Sequence, residues 1–422
     1  MTIPTMRMTS RARHVMRASQ DNKQPFLQIK NSMEGQAIQY HFPTGSTLLA
    51  NTPFYYYDMD VLRATLCEIQ RNIEGYPFMV HYAVKANGNP KILNEIAKHG
   101  LGADLVSGGE IRAALDAGFE AAEMTYSGVG KNDWEIRLGL SRGIGFFNVE
   151  SVAEMDVINE IAGEMDTTAH IAIRVNPDID AHTHRYITTG TASNKFGITI
   201  DELDEVVNHA NTLPHIQLCG LHFHIGSQIT DMQPYAMLCD TVNNLLDHFE
   251  SMGINFKMIN VGGGLGIDYS SPDEHLLPDF KTFFDIFKQQ LKLRPGQRLH
   301  FELGRAIMGQ CGALISRVLY VKENRGKKFV ILDAGMTDLI RPALYEAQHK
   351  IQNLTATSDE CSPYDVVGPI CESSDVFGRD CSLPKSQRGD IIAIRSAGAY
   401  GESMASTYNM RSMPSSITSD DK

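Results

Sequence analysis

Nowhere in the chain do about 18 apolar residues follow one another, so no membrane-spanning helix is expected. Cysteine is scarce: seven residues, at 67, 219, 239, 311, 361, 371 and 381, in a chain of 422. A set so sparse and odd in number excludes a disulfide scaffold and points to a reducing cytoplasm. No CxxC pair occurs, and the ten-residue intervals between Cys361, Cys371 and Cys381 fit no zinc spacing, so no structural metal is expected. Positive charge is also short, with 38 Lys and Arg against 50 Asp and Glu and a formal net charge of −12. A field of that sign gathers neither nucleic acid nor an anionic membrane. Small molecules and further copies of the chain remain as expected partners. Residues 1–36 carry Arg7, Arg11, Arg13 and Arg17 but no apolar run of the kind a signal peptide needs. They are expected to form a disordered lead, with an organelle-targeting peptide as the alternative.

What is present is an ordinary globular composition, 42% apolar and 21% charged. Eight short apolar runs recur: 77–84, 101–106, 123–128, 144–149, 170–176, 218–225, 258–264 and 298–303. Between them lie amphipathic stretches such as 89–99, 109–117, 151–165, 201–211 and 279–293, with apolar residues spaced near 3.6. Strand and helix in alternation over this length predict an α/β fold, a (β/α)8 TIM barrel over 58–305, with an open doubly wound sheet as the alternative. Beyond Arg305 the pattern turns to strand-like pieces at 313–324, 327–335, 362–371 and 389–400. These predict an all-β domain over 306–414, joined from the other end of the chain by 37–57. The Ser- and Asp-rich residues 415–422 are expected to be a flexible tail.

A barrel places its chemistry at the carboxyl ends of its strands, and there this chain is polar. The first run ends in Tyr82-Ala83-Val84-Lys85-Ala86-Asn87. A lysine desolvated at such a mouth can lose its proton near neutral pH and condense with an aldehyde. Lys85 is equally explained as a solvated residue at a strand end. The seventh run ends in Gly262-Gly263-Gly264-Leu265-Gly266 and the eighth in Glu302-Leu303-Gly304-Arg305. Loops after strands seven and eight often bind phosphate, because glycine lets backbone amides approach an anion. A plain glycine turn, or a dinucleotide fingerprint, would also produce this pattern. Glu302 can face the lysine across the mouth, or pair with Arg305. His222 and His224 share one face of the sixth strand and precede Gly226-Ser227-Gln228. They can be a ring packed on a cofactor, structural histidines, or two ligands of a metal lacking a third. His182 and His184 form a second such pair.

Taken in order, Tyr82 to Asn87, HFHIGSQ at 222–228, GGGLG at 262–266 and ELGR at 302–305 make the chain resemble the fold-type III pyridoxal-phosphate decarboxylases. It is most similar to the diaminopimelate-decarboxylating branch, through PFYYYD at 53–58, ASNKFGI at 192–198, DAGMTDLIRPALY at 333–345, GPICESSD at 368–375 and GAYGESMASTYN at 398–409. The resemblance implies an alanine-racemase-like barrel with a β domain, pyridoxal 5′-phosphate as cofactor, and meso-2,6-diaminopimelate as substrate, converted to L-lysine and CO2. It implies that Lys85 carries the cofactor, that His224 stacks on its ring and that Glu302 pairs with the ring nitrogen. Ser227, Gly263, Gly264, Gly304 and Arg305 match phosphate or substrate-end contacts. Arg305, Arg341, Tyr345, Glu372 and Tyr400 match substrate-binding positions, Tyr400 touching the cofactor as well. Cys371 matches the proton donor, and with Glu372 it would reach the site of a neighbouring subunit in a homodimer. Arg341 suits a substrate carrying a distal carboxylate. Leu303 departs from the proline usual in that loop.

Overall fold

A computed structural model describes residues 38–48, 51–180 and 195–421, of which Gln39 onward belong to one compact unit. Among the described residues two sheets account for the strands. The first strand, β1 (Phe54–Tyr57), belongs to the second of them. The barrel follows: β2 (Phe78–Ala83), β3 (Gly102–Leu105), β4 (Met124–Tyr126), β5 (Phe146–Val149), β6 (Ala169–Asn176), the short β7 (Ile198–Thr199), β8 (Ile216–His222), β9 (Met258–Asn260) and β10 (Arg298–Leu303). All pairings run parallel. The order β5-β4-β3-β2-β10-β9-β8-β6 is closed by a β5–β6 ladder, with β7 attached to β6. The eight expected strands are therefore all present, and closure rules out the open-sheet alternative. Strands buried on both faces read as nearly continuous apolar runs, which is why they were visible.

Several of the helices begin where the chain supplies a cap. Asp58 accepts from the backbone of Asp60 ahead of the helix Met59–Ile73, Ser107 from Glu110 ahead of Gly108–Asp116, and Ser151 from Glu154 ahead of Val152–Glu164. Asn132 and Glu135 form a reciprocal capping box at Asp133–Arg142.

The second sheet is mixed: β11 (Gly312–Asn324), β12 (Lys327–Leu332), β13 (Ile351–Asn353), β14 (Cys361–Val367), β15 (Val376–Pro384), β16 (Ile391–Ile394) and β17 (Ser415–Thr418), together with β1. Three features differ from expectation. Residues 37–42 were expected to be a strand, yet 38–42 join no ladder; Tyr40 and Phe42 instead pack their rings on a core of Phe54, Tyr56, Ala313 and Ile315. Strands β13 and β15 were not anticipated. And 415–418, expected to be mobile, lie parallel to β1 from Phe54↔Ser415 to Tyr57↔Thr418. Backbone pairing holds this polar segment, aided by Ser419 Oγ accepting from Met59 N at 2.9 Å. The lead 1–36 and His182 and His184 lie outside the described residues.

Candidate active site

The carboxyl ends of the barrel strands enclose a cavity of about 430 Å³. Lys85, His224, Ser227, Gly264, Glu302, Gly304, Arg305, Arg341, Tyr345 and Tyr400 line it. Gly263 does not; its N–H donates to His224 Nδ1 at 3.2 Å, leaving the other ring nitrogen to carry the hydrogen of the neutral imidazole. Burial chiefly, then the Arg174 and Lys85 cations, push the His224 pKa down to about 3. A neutral, flat ring is thus held at the mouth.

Glu302, only 6% exposed, sits on three donors. Asn148 and Asn260 give their side-chain N–H groups to Oε1 at 3.2 and 2.7 Å, and His222 Nε2 donates to Oε2 at 3.1 Å. Burial opposes the charge, but His222 and then Lys85 outweigh it and hold the carboxyl well below its usual range. A carboxylate offers about four lone-pair positions, so one on Oε2 is left over. An ion pair with Arg305, the alternative read from the sequence, does not form: Arg305 donates instead to Tyr269 Oη at 2.6 Å and Ser227 Oγ at 2.9 Å, with its guanidinium 5.0 Å from the Tyr400 ring centre.

Lys85 Nζ lies 3.3 Å from Asp104 Oδ2. Burial disfavours its ammonium, yet Asp104, Tyr400, Glu302 and Glu110 together raise its pKa above the ordinary lysine value. This corrects the expectation of a lysine deprotonated by desolvation alone. Asp104 is held by Ser127 Oγ at 2.8 Å, Ser127 accepts from Asn148 Nδ2 at 2.9 Å, and Asn148 continues to Glu302. A single hydrogen-bonded chain therefore joins the lysine to the glutamate. Sequence reading missed Asp104, Ser127, Asn148 and Asn260. The available signal was a polar residue at an inward position of an otherwise apolar strand. Arg174, Lys195 and Phe196 also line the cavity and were not anticipated; Arg174 pairs with buried Glu150 at 2.7 Å.

The chain bends sharply to build the mouth. Gly262 and Gly264 adopt φ +68° and +100°, a region that disfavours side chains, and a Cβ on Gly263 would fall 1.8 Å from the Glu302 carbonyl oxygen. A Cβ on Gly304 would approach Ala83, Ala86 and the Tyr400 hydroxyl to 3.0–3.2 Å. Tyr400 itself takes φ +56°, its N–H bonded to the Ala86 carbonyl at 2.8 Å. Cys371 and Glu372 are not brought to the cavity. Both are exposed, and Glu372 accepts from Tyr408 Oη at 2.7 Å.

A closed barrel with a lysine, an ionised glutamate and a glycine-rich mouth at its strand ends suits an enzyme holding an aldehyde cofactor. The family model described as pyridoxal-dependent decarboxylase, pyridoxal binding domain, matches residues 60–309, and the chain belongs to that family. Pyridoxal phosphate fits what the residues offer: a spare lone pair on Glu302, a neutral ring at His224, and Gly264, Gly304, Ser227 and Arg305 along one cavity wall. The chain is 58% identical to diaminopimelate decarboxylase of Bacteroides thetaiotaomicron over 90% of its own length and 98% of that protein. The Vibrio cholerae diaminopimelate decarboxylase is 41% identical, with 85% of each chain covered. The crystal structure of diaminopimelate decarboxylase from Helicobacter pylori complexed with L-lysine superposes with a TM-score of 0.85 at 40% identity, covering 89% of this chain and 94% of that one. A lysine/ornithine decarboxylase from Vibrio vulnificus, 22% identical with a TM-score of 0.76 and covering 89% of this chain and 97% of that one, shares the fold.

Proposed function

We propose that the chain catalyses pyridoxal phosphate-dependent decarboxylation of meso-2,6-diaminopimelate to L-lysine and CO2, the last step of lysine biosynthesis. The observation that carries this reading is the pair of buried guanidiniums, Arg305 and Arg341, in the same cavity as Lys85 and Glu302. A diamine-forming substrate such as ornithine gives a second cation no distal carboxylate to bind. The names of the relatives support the same substrate.

When bound, the cofactor supplies an electron sink for the carbanion left as CO2 departs. Lys85 is its point of attachment, and Asp104 holds the lysine in place. Glu302, kept ionised, would pair with the ring nitrogen and His224 would pack on the ring, steadied by Gly263 N–H; Ser227, Gly264, Gly304 and Arg305 would hold the phosphate. Arg341 grips the distal carboxylate with two N–H groups, flanked by Tyr345 and Tyr400. Cys371 of a second copy delivers the proton that replaces the carboxylate at the reacting carbon, and Glu372 of that copy takes the distal ammonium. Their exposure in the single chain, away from the cavity, supports a homodimer with shared sites. We place the division of labour in a barrel of 58–305 and a β domain of 37–57 with 306–414, and the enzyme in the cytoplasm, where its seven cysteines, none of them in a disulfide, stay reduced.

A substrate panel tests the reading. CO2 release from diaminopimelate, and little from lysine, ornithine, arginine or carboxynorspermidine, is expected. Preference for any of the others would overturn it.

A further inference from the structure

Eight residues beyond Arg341 stands a histidine that no sequence motif marked. His349 is buried, and its Nε2 lies 3.0 Å from Arg341 Nη1. A guanidinium has no acceptor, so the imidazole nitrogen must accept, which puts the ring hydrogen on Nδ1. The second contact agrees, because Nδ1 lies 2.8 Å from the Arg395 carbonyl, which can only accept. That carbonyl is fixed in its turn by a backbone bond from Arg395 N to Lys350 O at 2.9 Å. Burial first, then the Arg341 cation, push the His349 pKa down to about 3, so the lone pair facing Arg341 persists at neutral pH.

The guanidinium also packs on Tyr269. Arg341 Cζ lies 4.8 Å from its ring centre, His349 meets the same ring edge-on at 4.9 Å, and the Tyr269 hydroxyl accepts from Arg305 at 2.6 Å. Tyr269 thus touches both guanidiniums. Against this ring Arg341 Nε, buried, has no hydrogen-bond partner among the described residues, although the Arg341 side chain lines the cavity. An unmet N–H on a buried cation is costly until an anion takes it.

We propose that His349 is a positioning residue for specificity: by accepting one N–H of Arg341 against the Tyr269 ring, it aims the remaining donors at the distal carboxylate of the substrate. This inference rests on the diaminopimelate reading above. It concerns binding and not the bond-breaking step, so its signature is a split between KM and kcat.

The test uses the holoenzyme, with wild-type turnover of diaminopimelate measured first. His349→Phe keeps the bulk and loses the acceptor; KM should rise roughly tenfold or more, the usual range for a bond to a charged group, with kcat nearly unchanged. His349→Gln, whose carbonyl can reach Arg341, should restore most of the affinity. His349→Asn, long enough for Arg395 O but too short for Arg341, should not, and this pair decides the matter even where the Phe variant fails to fold. Calorimetric Kd values for L-lysine should weaken in the same order. An unchanged KM in Phe and Asn variants of an active enzyme, or a fall in kcat alone, would overturn the inference. A wild type that leaves diaminopimelate untouched would instead overturn the functional reading on which it stands.

Discussion

Glu302 keeps its charge through three donors in a dry site, and its neighbour Asn148 serves both Glu302 and the Ser127–Asp104 pair. Glu302→Gln should leave the barrel folded but remove the anion opposite the ring nitrogen. The kcat should fall by roughly a hundredfold or more, the scale of one preorganised electrostatic contact, as read from CO2 release. Three buried histidines, His81 at about 4, His224 at about 3 and His349 at about 3, are held neutral mainly by burial. Their pKa values lie below the unfolded value of 6.5, so below that pH the unfolded chain binds more protons than the folded one. Stability should therefore be complete above pH 6.5 and fall as pH drops toward 4, by up to about 1.4 kcal/mol per pH unit for each ring. Glu110, raised to about 7 by burial, works in the opposite sense between pH 7 and its unfolded value, as do Asp104, Glu154, Asp338 and Asp375, also raised by burial, while His300 and the depressed carboxyls of Glu302 and Asp268 act with the three rings. Urea midpoints across pH 7 to 4 check the net direction; a midpoint that rises with acidity would contradict it. At this scale Lys85, His224, Glu302 and Arg305 were legible because they end apolar runs. Asp104, Ser127, Asn148 and Asn260 were not. They sit on or beside four different strands, and their partnership exists only once the barrel has closed.

Elements carry their own predictions. Deleting residues 415–422 removes a four-residue parallel ladder from β1 together with ion pairs of Arg63 to Asp420 and Lys91 to Asp421. Surface pairs of this kind contribute little, so most of the loss comes from the ladder and the uncovering of β1. Thermal unfolding should shift down by several degrees, on the order of 2–4 °C for each kcal/mol lost; an unchanged Tm would show that the strand is dispensable. Gly263→Ala drives a Cβ into the Glu302 carbonyl oxygen, a backbone atom that cannot rotate away. It should lower cofactor affinity, measured by equilibrium dialysis of pyridoxal phosphate, more than Gly130→Ala, where the added Cβ meets nothing within 4 Å. Period-3.6 and apolar-run patterns revealed the barrel because each strand is buried on both faces. The same logic missed β17, whose Ser415, Ser416 and Thr418 are polar and whose fold information lies in backbone pairing across the length of the chain.

At the scale of the whole molecule, the cavity as one chain builds it is lined by Lys85, Glu302, Arg305 and Arg341 among others, but by neither Cys371 nor Glu372. No motif could reveal that separation, since these residues follow one another in a recognisable segment and only the folded chain shows them facing away. If a second copy supplies them, Lys85→Ala and Cys371→Ala, each inactive alone, should regain part of the activity when mixed and allowed to exchange subunits. Mixtures as inactive as their parents would contradict a shared site. The central claim, that Lys85 carries the cofactor for decarboxylation of diaminopimelate, is tested most directly by following CO2 and L-lysine from meso-diaminopimelate with wild type and Lys85→Ala, both supplied with pyridoxal phosphate. Equal amounts of the two products from the wild type, and neither from the folded variant, are predicted; turnover retained in Lys85→Ala would contradict the account.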